Sequence, residues 1–441
     1  MSEFLLPDHE LPGLHALFND ERWAEWESKH GVPHIEWSPE AIQHFELEPS
    51  GFARLVVSDG IDDAVWPWLV ELYPDVDSAQ QRWELAQARI ALDEHDPAPL
   101  FDEECAAIAY PFPVDPDLPA LARSEDRSAL RTTLKEMLPP EYSAQEWRIQ
   151  RRRIRLQVLS YRPGKKIGIR VRARLRAKTG DATARMYWYL SVLPPLRAEA
   201  AAVTHEALEE ALAEHPSVSI PGLRGVGLNR TAIAVDWIDG RPLSAFYGRK
   251  PEVRHSFLRK SGTALAALHG VDANLVHKES PPELATELRD LGAQLAQTVP
   301  ALAHRIEHVA DTLASDVAQF ALLTSSIVHG AFHGEQLLFD RDDRPFLVDL
   351  ARAGRGYAVL DLGELEAELI LRECPESDFE AFLDGYTSAG AKLPPPEALE
   401  IATPVALFRR LGLPLTHPTP EWTSAIHRQL DQLESRLGAR R

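Results

Sequence analysis

The sequence predicts an α+β protein of two lobes with a cleft between them, an antiparallel β lobe followed by a mostly helical one. An acidic, tryptophan-rich N-terminal domain precedes both. Three observations carry that expectation. Apolar residues alternate with a period of two between about 148 and 193, the spacing of strands with one buried face. After residue 250 the spacing becomes helical almost throughout. The first 141 residues hold 30 acids against 9 bases, and six of the ten tryptophans lie within residues 1–110, enough apolar mass to fold rather than stay disordered. The implied division is 1–110 for the acidic domain or extension, 111–240 for the β lobe with a leader helix, and 241–441 for the helical lobe.

The chain has 441 residues, 44% hydrophobic and 26% charged, enough for several lobes around a real core. No run approaches the roughly 20 apolar residues that span a bilayer. Met1-Ser2-Glu3-Phe4 lacks the basic and apolar regions of a secretory signal. Two cysteines, Cys105 and Cys374, exclude a disulfide scaffold and a four-cysteine zinc site, and suit a reducing cytoplasm. The expectation is a cytoplasmic protein with no membrane partner.

In chain order, Arg54 to Val57 reads as a strand and Ala79 to Leu92 as a helix. A proline-rich stretch from Tyr110 leads to a helix from Arg127 to Met137, stopped by Pro139-Pro140. Residues 148–193 give three strands, the first two joined by the turn Arg162-Pro163-Gly164-Lys165. An Ala/Glu-rich helix over 197–214 follows, then short strands at 222–228 and 232–237. Helices fit 252–269, 282–297, 300–323, 361–373, 376–389, 395–411 and 420–437. A β-like island from Ser326 to Leu350 interrupts them.

Net charge is −20, which repels nucleic acid overall. Residues 148–178 are the exception, with 13 bases and no acid. Alternation sets Ile169, Val171, Ala173 and Leu175 on one face and Arg170, Arg172, Arg174 and Arg176 on the other. Ile154, Leu156 and Val158 alternate likewise with Arg153, Arg155 and Gln157. The arginine face has two readings. One is an anion site for phosphate, an acidic peptide or RNA. The favoured one is a surface covered by the acidic N-terminal region, since the counter-charge lies in the same chain. Only Trp147 and Tyr161 could stack on bases there, so nucleic acid is disfavoured as a partner.

The chemistry concentrates in residues 326–363. His329-Gly330-Ala331-Phe332-His333-Gly334-Glu335-Gln336 is followed by a hairpin turned at Asp340–Arg344. Then come Leu347-Val348-Asp349-Leu350, Gly354-Arg355-Gly356 and Asp361-Leu362-Gly363. This order resembles the aminoglycoside phosphotransferase and choline-kinase-like family, whose signature is H-G-D-x-H-x-x-N, a hairpin, then I-D and a later G-D-x-x-x-D-L. Trp237 to Leu243 resembles that family's hinge, and Asp384-Gly385-Tyr386 and Glu421-Trp422 also fit. The resemblance covers about 111–441. It implies a protein-kinase-like two-lobe fold with nucleotide in the cleft. It implies ATP and Mg²⁺ as cofactors, or none if the site has degenerated, and a small-molecule hydroxyl as acceptor if the chain is an active phosphotransferase.

Phosphoryl transfer rests on positioning and charge neutralisation, and here the resemblance breaks. The motif aspartate is Ala331. The strand lysine would fall at Leu190 or Ser191, yet no lysine occurs between Lys178 and Lys250. Glu199 and Glu206 therefore lack their expected partner. The motif asparagine is Gln336, Asp349 is kept, and the acid often found after it is Ala351. Gln336 and Asp349 are the implied metal pair. Glu335 is the candidate replacement for the lost carboxylate. Lys165 and Lys166 are candidates for the lost lysine, and Asp236 and Trp237 for hinge contacts to a nucleotide. His329 and His333 are expected to hold the loop, and Asp361 to cap its helix and tie the loop to it.

The reading is a pseudokinase that binds nucleotide or an anionic partner, such as an acidic peptide or protein, without normal phosphotransfer. The alternatives are an atypical ATP-dependent small-molecule kinase using Asp349 and Gln336 for Mg²⁺, and anionic-ligand or RNA binding by the arginine-rich hairpin alone.

Overall fold

The computed structural model describes residues 42–47, 52–57, 68–89, 99–121, 127–213, 215–276, 280–416 and 421–439. The readings of Met1 to Phe4, of Trp23, Trp26, Trp37 and Trp66, and of the helix end at Leu92 lie outside them. Within the described residues the expected α+β, two-lobe class is the class observed.

The N-terminal region forms an antiparallel sheet of β1 (Ile42–Leu47), β2 (Ala53–Val57), β3 (Trp68–Leu72), β4 (Leu100–Asp102) and β5 (Ala107–Pro111), in the order β1-β2-β3-β5-β4. Helix α1 (Val76–Arg89) packs on one face through Ala79 and Ala86 against Leu69, Ile108 and Tyr110. Acidity is reconciled with a buried core by pairing. Glu71 is fully buried and accepts from Arg54, Arg82, Tyr73 and Tyr110, as a buried charge requires.

The β lobe opens with α2 (Arg127–Glu136), then β6 (Trp147–Ile149), β7 (Arg155–Arg162), β8 (Lys166–Ala177) and β9 (Thr183–Val192). Helix α3 (Arg197–Leu212), β10 (Leu223–Gly227) and β11 (Ala232–Asp236) complete it. The sheet runs β10-β11-β9-β8-β6, with β7 also on β8. Four strands occupy 147–192 where three are expected, because Arg151–Arg153 turn as a 3-10 helix and break the run. The alternation along β8 holds. Ile167, Ile169, Val171, Ala173 and Leu175 are buried with Leu130 and Leu134 of α2. On β7 it fails. A bulge between Val158 and Ser160 leaves Val158 and Leu159 exposed.

The helical lobe contains β12 (Arg241–Pro242), α4 (Pro251–Gly270), α5 (Pro281–Thr298), α6 (Ala303–Asp316), β13 (Ser326–Val328), β14 (Leu337–Phe339), β15 (Pro345–Leu347), β16 (Gly354–Gly356), α7 (Ala358–Leu371), α8 (Glu376–Ser388), α9 (Pro396–Arg409), α10 (Leu413–Thr416) and α11 (Trp422–Ala439). Ser280 and Glu283 start α5 with a reciprocal capping box. The helix expected over 300–323 is α6 flanked by 3-10 turns. Among the described residues no helix is long and apolar enough to cross a membrane, and both cysteines are free.

The first sheet meets both lobes. Phe45, Leu55, Val57 and Val70 share one apolar cluster with residues of α5, α6, α9 and α11. On the other side the chain after β5 pins the β7–β8 turn. Buried Asp115 accepts from the Tyr161 hydroxyl at 2.9 Å and the Gly164 amide at 2.8 Å. Gly164 has φ +66°, and a Cβ there would lie 2.8 Å from the Arg54 guanidinium, so the turn needs glycine. Lys165 Nζ donates to Glu46 Oε1 at 2.5 Å.

Candidate functional site

The floor of the cleft is the loop after β13, held from beneath by Asp361. This carboxylate, 1% exposed, accepts from the amides of His329 (2.7 Å) and Gly330 (2.9 Å) and lies 3.0 Å from His269 Nε2. Burial pushes its pKa up, but His269 and the His329 amide hold it below the usual carboxylate range. The N-cap of α7 is Tyr357, with Asp361 inside the first turn. The expected capping role is therefore corrected: its oxygens are turned to the loop. His329 is fully buried, with Nε2 2.9 Å from the Val348 carbonyl, so that nitrogen carries the proton. Its Nδ1 has no partner among the described residues.

His333 caps the 3-10 turn Gly334–Gln336 by accepting from the Glu335 amide. Burial, Arg410 and His329 bring its pKa down to about 4, so the ring is neutral near pH 7. With Nδ1 accepting, Nε2 bears the hydrogen. The Gln336 amide that sits 3.1 Å from it must then present its oxygen. Gln336 thus spends its side-chain oxygen inside the loop. Its main-chain carbonyl accepts from Val348, which sets the loop beside Asp349. Glu368 secures the same turn by accepting from the Gly334 amide and the Tyr247 hydroxyl.

Asp349 takes a left-handed backbone, φ 59° and ψ 50°, a region aspartate enters more readily than most residues. Its Oδ1 is 2.6 Å from Lys166 Nζ. Burial would raise the Asp349 pKa, but the Lys166 charge and hydrogen bond lower it. Burial would lower that of Lys166, but Tyr189 and Asp349 raise it. Both groups are therefore ionised at neutral pH.

The roof is β8 and β9. Lys166 begins β8 and lies 5.8 Å from the centre of the Tyr189 ring. Ser191, where the strand lysine is expected, is buried on β9 opposite Gly168. A Cβ at Gly168 would meet the Tyr189 hydroxyl at 2.3 Å, so tyrosine packing requires glycine there. Lys166 thus brings a cation to the cleft one strand earlier than the expected position. Of the two hairpin lysines only Lys166 reaches the cleft, because Lys165 is turned to Glu46.

Other expected residues are placed differently. Glu335 is exposed and accepts from the Ser244 hydroxyl, so this carboxylate is held beside the 3-10 turn that follows β12. Glu199 pairs with Arg230 and Glu206 is exposed. The Asp236 carboxylate is consumed by Arg224 at 2.7 Å. The amides of Asp236 and Trp237 donate to Gly222 and Tyr187, so neither is an open hinge donor. The Trp237 indole N–H is buried without a partner among the described residues. Arg170 does not share the exposed anion face. Its guanidinium is 4.4 Å from the Trp237 ring centre and 5.4 Å from that of Tyr187. Arg172 and Arg174 are exposed. Nor does the first sheet cover them. Its apolar face commits it to the helical lobe, and among the described residues its acids pair elsewhere, Glu46 with Lys165 and Glu71 with Arg54 and Arg82.

Sequence reasoning missed His269, Arg410 and Asp115. Each acts from a distant element, and no local motif marks it. Asp349 is the residue that would hold Mg²⁺. Its carboxylate is a hard oxygen donor, and Gln336 would have to release His333 to join it. Among the described residues no group of three His, Cys, Asp or Glu side chains could hold a metal unaided. Asp349 would thus supply one oxygen ligand, and an Mg²⁺ ion held there would need its other ligands from water or a bound group.

The model of the phosphotransferase enzyme family, APH, matches residues 170–397. That span runs from within β8 to the start of α9 and includes the loop and Asp349, while Lys166 lies just before it. No curated protein matches the chain. Among solved structures it is similar to macrolide 2'-phosphotransferase MphH from Brachybacterium faecium, at 19% identity and TM-score 0.43, over 69% of this chain and 98% of that one. It is similar to choline kinase LicA from Streptococcus pneumoniae, at 13% identity and TM-score 0.46, over 64% of this chain and 94% of that one. A ternary complex of APH(2")-IIa with streptomycin and ATP gives 14% identity and TM-score 0.42, over 63% and 91%.

Proposed function

The chain belongs to the phosphotransferase enzyme family, and from that premise we propose that it is a pseudokinase, a nucleotide-binding member without normal phosphotransfer. One observation carries this. Lys166 and Asp349 face each other across the cleft as an ionised pair, while the position that would aim an acceptor hydroxyl is Ala331. The pair suits a nucleoside triphosphate: Lys166 would turn from Asp349 to the phosphates, and Asp349 would hold Mg²⁺. When bound, the ion would neutralise phosphate charge. Glu335, the loop carboxylate that could take the acceptor proton, is instead bonded to the Ser244 hydroxyl. Loss of such a group costs about 10²- to 10⁴-fold in rate.

The test is thermal unfolding with ATP, with and without Mg²⁺, on the wild type and Asp349→Ala, beside ATP turnover over a panel of hydroxyl acceptors. A stabilisation that needs Asp349, without turnover, supports the reading. Robust turnover that vanishes in Asp349→Ala overturns it. That outcome would favour a second reading, an active small-molecule kinase, for which the position of Lys166 speaks. The chain would then use Lys166 in place of the strand lysine.

A further inference from the structure

Strand register stacks arginine against arginine on the open face of the second sheet. Arg148 faces Arg176, Arg185 faces Arg174, and Arg155 faces Arg172. Directly opposed residues share a face with Cβ atoms about 4.5–5.5 Å apart, and like charges there are destabilising. Five of the six are exposed and Arg176 is half-buried. Among the described residues only Arg176 has a carboxylate partner, Asp181, whose side chain is 96% exposed. Among the described residues two of the three rungs have no counter-charge and the third has only an exposed one, and like-charge rungs of this kind point to an anionic ligand.

We propose that this face binds the backbone of a single-stranded nucleic acid, with one phosphate on each arginine rung. Successive rungs are two residues apart along β8, a step of about 6.8 Å, near the spacing of phosphates in an extended strand. Each rung offers two guanidinium forks to one anion. A nucleic-acid strand carries an anion at every step of its backbone, whereas a peptide carries one only where an acid falls, so the even spacing of the rungs favours a nucleic acid over an acidic peptide. The scarcity of stacking aromatics bears on base recognition, which backbone contacts do not need.

The test uses the full chain and fluorescent oligouridylate and oligodeoxythymidylate of about twelve nucleotides, within the usual single-strand site range. Three released counterions give a slope of about −2 in log affinity against log salt, roughly a 20-fold loss from about 50 to 200 mM. The double variant Arg172→Glu/Arg174→Glu should lose binding at least about tenfold at fixed salt. As a folding control with its own sign, Arg185→Glu should raise the melting temperature by replacing a repulsive rung with an attractive one. Equal binding of both oligomers marks pure backbone recognition, and preference for the ribose form adds 2'-hydroxyl contacts. Either supports the proposal. Absent or salt-insensitive binding, unchanged binding by the double variant, or tighter binding of oligoglutamate would overturn it.

Discussion

Lys166 Nζ stands 2.6 Å from Asp349 Oδ1 although 183 residues separate them in the chain. The cation comes from the first residue of β8, not from β9 where the family pattern sets it. Removing either partner leaves the other charge unpaired in a half-open site, where the Lys166 side chain is 19% and that of Asp349 37% exposed. Lys166→Met and Asp349→Asn should each lower the melting temperature, and the double variant should fall short of their sum by about 0.5–1 kcal/mol of coupling. With ATP as probe, Lys166→Met should weaken binding roughly 10- to 100-fold, as for a lost charged hydrogen bond. An undiminished ATP response would show that Lys166 does not meet the phosphates.

Ala331 is half-buried in the loop pinned by Asp361. Restoring a carboxylate by Ala331→Asp should raise ATP hydrolysis at least about tenfold, the low side of what a positioned proton acceptor supplies. If ATP still binds and hydrolysis does not move, the missing acid is not what silences the cleft.

Asp361 is the residue whose loss should hurt most. It satisfies two buried amides and His269 at once. Asp361→Ala leaves them unpaired and should cost about 3–5 kcal/mol in denaturant unfolding, with Asp361→Asn intermediate. A loss below about 1 kcal/mol, that of an ordinary surface change, would mean the loop is held elsewhere.

Glu46 gives a pH signature. Burial alone would raise its pKa, but His44 and Lys165 bring it from 4.5 down to about 2. A carboxylate with a lowered folded-state pKa adds stability that is whole above its unfolded value and fades as pH falls toward the folded one. The stability gap between wild type and Glu46→Gln should therefore be constant above about pH 4.5 and close toward about pH 2. The gap is small, about 0.2–1 kcal/mol, because Lys165 is nearly half exposed. A gap that widens on acidification would rule out the assignment.

Much of the β lobe was legible because burial on one side of β8 writes a period of two into Ile167 to Leu175. The 326–363 island was legible because its turn residues sit at fixed offsets. The first sheet was mostly not. All residues of β2 and β5 are buried, so both faces are apolar and no alternation appears. The docking of the first sheet was illegible for a different reason. Charge complementarity in a sequence says that two regions attract, while the apolar residues Phe45, Leu55 and Val57 decide where the acidic sheet docks. Period two also predicts that Lys165 and Lys166 diverge. Which one faces the cleft depends on Asp349 and Glu46, which no local pattern ties to the hairpin.

The first sheet leans on α5, α6, α9 and α11 and also grips the β7–β8 turn through Asp115 and Glu46. This strap joins the lobes beside the linker around Trp237, the Ser219 backbone bonds to Pro345 and Leu347, and the Lys166–Asp349 pair. The hairpin that carries Lys166 is therefore positioned from outside its own sheet, by a part of the chain that the family model does not match.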